Sequence, residues 1–512
     1  MSGSIALALV ESQLADPQSA FTSVRQWLLS PEALAMRIDE VEIEEKRRVR
    51  EVARLLLDEH VRARGPGDVG QAIEVVETNA TIPSVDGGGP LASIRQILPL
   101  SLSHRRKREV DYVSQFGAIA VDRMTYGRPG YECLAPLDEQ LGLPARSYSY
   151  PVQQMIATGV ARGPYAEAAK NLIESTGLHV ATANIDAVVR DVAVDFDDFY
   201  STCVPPPSAV TGPILVAAVD GKGVPIRQAP RSPPKSKRLK PGEKPGRKNE
   251  ARVAAVYTIQ PHERSIEDIL REHRRSPVKL VGQRPRPEFK RVWARLEKTK
   301  DQTFQAVGEE MMRRDPDRSK TWVVVVDGDL ALLRRAMSIL GKLNPRLIVI
   351  LDLYHVLEYL WKAAHAFCGE QGKSAESWVT DRLRMLLSGQ VSDVARGMRQ
   401  SATKLGLKGS KRAAVDQAAD YFLRRKKFMR YDQYVAAGLP IGSGAAEGAC
   451  RNLICDRLER TGMSWTRLNA EAVLKLRALE LSGDTADYWK FHINREQERI
   501  YGEREWAVKS SH

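Results

Sequence analysis

The sequence is short of three things: long apolar runs, paired cysteines and, outside one segment, positive charge. No apolar run in the 512 residues approaches the roughly 20 that a membrane-spanning helix needs, which argues against a spanning chain. The apolar stretch Ser4 to Val10 has no positive charge ahead of it and reads as the start of a helix, not as a secretion signal. The five cysteines (Cys133, Cys203, Cys368, Cys450 and Cys455) form no C-x-x-C pair, which argues against a zinc ribbon. Their odd number in so long a chain argues against a disulfide framework, so they read as buried thiols of a reducing cytosol. No internal repeat is visible.

What is present fits a globular protein of two to four domains, with 43% hydrophobic and 28% charged residues. The net charge is +13 and is unevenly placed. Residues 221–300 hold 23 Lys and Arg against 8 Asp and Glu, so this window carries more positive excess than the whole chain. A concentrated basic region is the footprint of a phosphate-backbone partner, and equally of a solvated loop.

Apolar periodicity predicts helix over 20–64, ended by Gly65-Pro66, within a helical N-terminal region 1–70. A small β-containing region follows over 71–146, in which residues 116–127 alternate like a hairpin. Residues 147–204 read as helix, Gly turn, helix, with Pro151 in a tolerated first-turn position; this is the outline of a helix-turn-helix DNA-binding region.

After the prolines at 205–207 the pattern changes. Residues 214–221 read as a strand, 223–228 as its return, and 252–259 as a third. Between them, 229–250 has five prolines and no apolar periodicity and reads as a flexible basic loop. An amphipathic stretch around Val292 to Met311 precedes a buried strand at 322–329, a helix, and a strand at 346–356 that runs into a helix. Three meandering strands followed by alternating helix and strand predict an RNase H-like arrangement over 205–356, in a mixed α/β multidomain chain. Residues 357–437 read as helical and basic. A Gly-rich turn and a helix capped by Ser443 fall in 438–482, and a charged helical tail occupies 483–512.

The chemistry resides in acids at strand ends. Asp220 and Asp327 each stand in a Val-Asp-Gly turn, and in this strand order the two carboxylates meet at one sheet edge. Two carboxylates that close repel unless a cation lies between them, and hard oxygen donors suit Mg²⁺. Each is also an ordinary Asp-Gly turn when taken alone. Glu447 lies in the first turn of the helix after the Gly-rich turn, where the helix dipole favours a negative charge. Arg451 stands one turn on, and Arg457 and Arg460 extend the basic helix. Asp352 and His355 form D-L-Y-H, readable as a helix cap or as accessory groups beside a metal, with Asp352 an alternative ligand to Asp327.

The runs VVVVDGDLALL, LDLYHVLEYL, GLPIGSGAAEGACRNLICDRLERTGMSWT and AEAVLKLRALELSGD resemble the ISKra-type bacterial insertion-sequence transposases, of the Mutator-like branch of the DDE enzymes. The resemblance spans about 115–505 and is strongest over 320–495. It implies an RNase H-like catalytic core interrupted by an all-helical insertion before the last acid. It assigns Asp220, Asp327 and Glu447 as catalytic metal ligands and Asp352-x-x-His355 as the accessory motif. The paired cysteines that many such relatives carry ahead of the helix-turn-helix are missing here; only Cys133 stands there.

The implied activity is cleavage and strand transfer of transposon-end DNA with two Mg²⁺ ions, for which Mn²⁺ can substitute. The expected partner is double-stranded DNA, with no membrane. Its contacts are expected at Lys235, Lys237, Arg238, Lys240, Arg247, Lys248, Arg451, Arg457 and Arg460. A homodimer or higher oligomer is expected in synapsis, in the bacterial cytoplasm at the nucleoid. Two other readings stand beside this one: a DNA-binding regulator with an inactive core, and a nuclease of the same fold that cuts without joining.

Overall fold

The computed structural model describes residues 16–77, 99–227, 248–273, 284–369, 373–460, 463–502 and 504–508. The chain is mixed α/β and divides into two compact units, Met1–Phe199 with Ala486–His512, and Tyr200–Thr485.

In the first unit, the helix expected over 20–64 is three helices, Pro17–Leu28, Pro31–Ala35 and Ile38–Ala63. Ser30 caps the second by accepting from the Ala33 N–H at 3.2 Å. Pro31 has no N–H to continue the first, so the chain breaks there. Ala20 and Val24 pack on Val52 and Leu55 across the outer two helices. Strands β1 (Ile73–Glu77) and β2 (Pro99–Leu102) pair antiparallel, and the C-terminal strand Arg504–Val508 pairs with the other edge of β1.

The predicted hairpin is longer than the sequence indicates. β3 (His104–Ser114) pairs with β4 (Gly117–Gly127) from His104↔Gly127 to Ser114↔Gly117. β3 escaped the sequence reading because its first half, His104 to Arg108, is basic and exposed throughout. At the turn end, Ile119 and Val121 of β4 enter a core with Val61 and Leu137.

Helices Tyr150–Arg162, Tyr165–Thr176 and Thr182–Val192 follow, with Gly177 at φ +72° ending the second. The expected helix, Gly turn, helix is therefore present. Ser149 accepts from the Val152 N–H, and Pro151 lies in the first turn as expected. The buried carboxylate of Asp195 binds His492 at 2.7 Å and Arg499 at 2.5 Å, fixing the C-terminal helix within this unit.

The second unit is built on five strands: β5 (Ile214–Pro225), β6 (Lys248–Ile259), β7 (Glu288–Arg295), β8 (Thr321–Val326) and β9 (Ile348–Leu351). Their order across the sheet is β7-β6-β5-β8-β9. β6 runs antiparallel to β5 and β7, whereas β5, β8 and β9 are parallel. Val323 to Val326 are wholly buried, as a central parallel strand requires.

Two expectations are corrected here. Residues 223–225 do not turn back; they extend β5, and the return strand is β6. The meander's third strand is β7, within the stretch expected to be helical. Val292 to Ala294 are consecutively buried, which neither alternation nor a helical period reveals. The helix begins only at Lys300, where Thr299 and Gln302 form a capping box.

Beyond β9 the chain is helical, as expected, through Leu353–Cys368, Lys373–Leu387, Val391–Lys404, Gly409–Arg425 and Tyr431–Ala436. The short helix Gly444–Cys450 and a π-turn at Arg451–Cys455 then lead to Arg467–Ser482, capped by Thr466.

Candidate active site

β5 and β8 are neighbouring parallel strands with Val219 opposite Val326. The next residue on each is an aspartate, so Asp220 and Asp327 come out at the same edge of the sheet. Asp220 Oδ1 accepts from the Gly221 N–H at 2.7 Å, and Asp327 Oδ1 accepts from the Asp329 N–H at 2.9 Å. Burial pushes the Asp327 carboxyl above the usual range, and the charge of Asp220 adds to the shift.

Both line a cavity of about 60 Å³ together with Glu250, Arg252, Lys300 and Asp329. Lys300 binds Asp329 at 2.9 Å, while Asp329 caps the following helix through the Ala331 N–H at 2.8 Å. Gly221 leaves room for Glu250, whose Oε1 lies 2.4 Å from where a Cβ at 221 would stand.

Asp352 is 2% exposed and adjoins the end of β8, its N–H donating to the Val326 carbonyl at 3.0 Å. Its Oδ1 caps the next helix by accepting from the Tyr354 N–H at 2.9 Å, and its Oδ2 accepts from the Ser443 hydroxyl. Ser443 therefore does not cap its own helix through its side chain, contrary to expectation; that hydroxyl is committed to Asp352. His355 is partly exposed, 3.9 Å from Glu358, and close enough to Asp327 to oppose the rise in its proton affinity.

Glu447 is exposed in the first turn of Gly444–Cys450, its N–H donating to the Ser443 carbonyl at 2.8 Å. One turn later Cys450 donates to Asp220 Oδ2 at 3.1 Å, so this helix adjoins the aspartate pair. Among the described residues no group of three or more Asp, Glu, His or Cys side chains converges as a metal cage. The structure thus brings together Asp220 and Asp327 and does not bring Glu447 into a cluster with them. The donor chemistry of the aspartate pair fits a hard divalent cation: both groups are carboxylates, and Asp327 is held unfavourably by burial and by its neighbour's charge.

Of the expected DNA contacts, Lys235, Lys237, Arg238, Lys240 and Arg247 lie outside the described residues. Lys248 is exposed and paired with Glu459. Arg451 and Arg460 are exposed, the latter donating to the Asp456 carbonyl at 2.5 Å. Arg457 is corrected: it is 0% exposed, with its guanidinium 4.8 Å over the Trp465 ring, and offers no surface to a phosphate backbone.

The sequence reading also missed some groups. Arg106 and Arg108, exposed on β3, form a basic strand face that charge counting by window did not isolate. Cys450 gave no sequence signal. Asp329 was legible as the second acid of D-G-D, a helix-cap pattern.

No family model matches the chain, and no curated protein does. A solved structure, the Drosophila P element transposase strand transfer complex, is similar at a TM-score of 0.25 and 12% identity. The likeness covers 71% of this chain and 87% of that one. Among the described residues no helix is long and apolar enough to cross a membrane.

Proposed function

We propose that this chain is a DNA transposase with an RNase H-like core, cleaving and joining DNA by a DDE mechanism. The observation that carries the reading is the placement of Asp220 and Asp327 at the ends of adjacent parallel strands, in a sheet whose three-strand meander leads into two parallel strands. The resemblance to ISKra-type transposases, drawn from the sequence, points the same way.

In this reading Asp220, Asp327 and Glu447 hold Mg²⁺, with Asp352 and His355 as accessory groups. The bound metal supplies Lewis-acid stabilisation of a phosphoryl group and a more acidic water. The protein's share is to fix the carboxylates. Backbone N–H groups of Gly221 and Asp329 hold one oxygen of each aspartate, and the Cys450 thiol holds the second oxygen of Asp220. Glu447, exposed in the first turn of its helix, would supply the third carboxylate. Asp352, with both oxygens committed, orients the start of its helix and the Gly442-Ser443 turn.

Double-stranded DNA is the proposed partner, met by the helix-turn-helix region, by Arg106 and Arg108, by the basic segment 229–250, and by Arg451 and Arg460. Synapsis of two DNA ends calls for at least a dimer.

The test is a nicking assay on DNA bearing the element's ends, with Mg²⁺, Mn²⁺ or EDTA, on wild type and Asp327→Asn. Metal-dependent cutting lost in the mutant is the expected result. Tight binding with no cutting under any metal indicates an inactive regulator, and cutting without strand transfer indicates a nuclease.

A further inference from the structure

We infer that Tyr421, carried by the helical segment between β9 and Glu447, is a positioning residue that sets the Asp327 carboxylate for cation uptake. The inference rests on the DDE reading above.

The geometry begins at Gly328, the residue after Asp327. The Tyr421 hydroxyl lies 1.9 Å from where a Cβ at 328 would stand, so only glycine admits the ring. Arg425, one helical turn further on, donates from Nε to the Gly328 carbonyl at 2.6 Å. The same guanidinium lies 4.0 Å over the Tyr421 ring. Tyr359 stacks on that ring with centroids 3.7 Å apart and planes within 16°. Helix Gly409–Arg425 therefore grips the turn that carries the second acid through one ring and one backbone bond.

The hydroxyl itself calls for an explanation. Tyr421 is 6% exposed, and its oxygen is buried with no hydrogen-bond partner among the described residues. A buried donor left unmet costs stability, and a phenylalanine would fill the same space without that cost. The hydroxyl lies against Gly328, whose neighbour is Asp327, and in this inference the unmet donor turns to the Asp327 carboxylate when that group takes up a cation; orientation of a metal-binding carboxylate by an outer hydrogen bond is how such groups tune a site. A phenol is protonated, and so a donor, at neutral pH.

The experiment is Mn²⁺ binding to the full-length chain without DNA, followed by calorimetry and by the Mn²⁺ electron paramagnetic resonance signal. Wild type, Tyr421→Phe and Asp327→Asn are compared, with melting temperature and DNA affinity measured alongside. Tyr421→Phe is expected to weaken Mn²⁺ binding by roughly 10- to 100-fold, the range for outer hydrogen-bond partners, with DNA affinity kept and melting temperature equal or higher. Wild-type Mn²⁺ affinity in Tyr421→Phe, with binding lost in Asp327→Asn, overturns the positioning role and leaves the DDE reading standing. No Mn²⁺ binding by wild type, or full binding by Asp327→Asn, overturns the DDE reading and this inference with it. Should Tyr421→Phe melt early, Arg425→Gln replaces it, since it releases the Gly328 carbonyl and leaves the ring. It is expected to weaken Mn²⁺ binding in the same direction, and unchanged affinity overturns the proposal.

Discussion

The Cys450 thiol donates a hydrogen bond to Asp220 Oδ2 across 3.1 Å, joining the helix that carries Glu447 to the first acid of the pair. Burial pushes this thiol well above the usual cysteine range, and the Asp220 charge adds to that, so little thiolate forms at neutral pH. Cys133 is exposed. In a timed iodoacetamide reaction at pH 8, peptide mass spectrometry is expected to show Cys133 modified well before Cys450. Equal rates would mean that the helix separates readily from β5.

Glu310 is 4% exposed and faces three guanidiniums: Arg291 at 2.5 Å, Arg314 at 2.7 Å, and Arg313. Burial alone would raise its pKa, but the three arginines outweigh it and hold the carboxyl at about 2. Glu310→Gln leaves buried cations uncompensated and is expected to cost roughly 3–5 kcal/mol in denaturant unfolding of the full chain. A cost below about 1 kcal/mol would show that solvent reaches the cluster freely.

The Asp195 carboxylate sets an acid limit on the first unit. Burial opposes its charge, yet hydrogen bonds from His492 and Arg499 prevail and bring it to about 2. Because the folded value lies below the ordinary one of 3.8, its contribution is complete above that pH and is lost as pH falls towards 2. Hydrogen exchange in the helix Thr485–Tyr501 is expected to quicken across this window in wild type. In Asp195→Asn protection should already be low at pH 6, and an identical profile in the two proteins removes Asp195 as the cause.

Arg457 and Arg451 lie close in sequence and are expected to fail differently. Arg457→Ala removes a wholly buried side chain packed on Trp465 and is expected to lower the melting temperature by several degrees. Arg451→Ala alters an exposed side chain and is expected to leave melting unchanged while weakening DNA binding and its salt dependence. Filter binding at two salt concentrations alongside a thermal scan separates them; the reverse pattern contradicts both assignments.

Gly328→Ala places a methyl group against the Tyr421 hydroxyl and is expected to destabilise the second unit by roughly 1–3 kcal/mol, as overpacking does. Adding Tyr421→Ala should recover part of that loss. A double-mutant cycle with no coupling would place the two groups apart in solution.

The sequence reveals the sheet's strongest lines and hides its edges. The valine run of β8 and the Asp-Gly turns announce themselves, because a buried parallel strand is apolar throughout and must end in a sharp turn. β7 does not, because Val292 to Ala294 are buried in succession amid charged neighbours and match neither period. β3 hides for the opposite reason: its basic half forms a strand only because β4 supplies the pairing. At the site, the pairing of Asp220 with Asp327 was legible from strand order alone. Tyr421 and Cys450 were not, since each reaches the site across a fold-dependent distance that no local pattern encodes. Arg457 was misread because a helical row of arginines looks solvated until Trp465 covers one of them.

The partner of β1 is encoded near the far end of the sequence, since Ile73 pairs with Val508. The second unit's own ends meet, with the Tyr200 hydroxyl bonded to Asp484 at 2.7 Å. During synthesis the first unit therefore waits, one sheet edge bare, while the whole intervening unit emerges and closes on itself. Ribosome stalling before codon 504 would leave β1 available to pair with a neighbouring nascent chain, and the vulnerable moment in this protein's life falls before residues 504–508 are made.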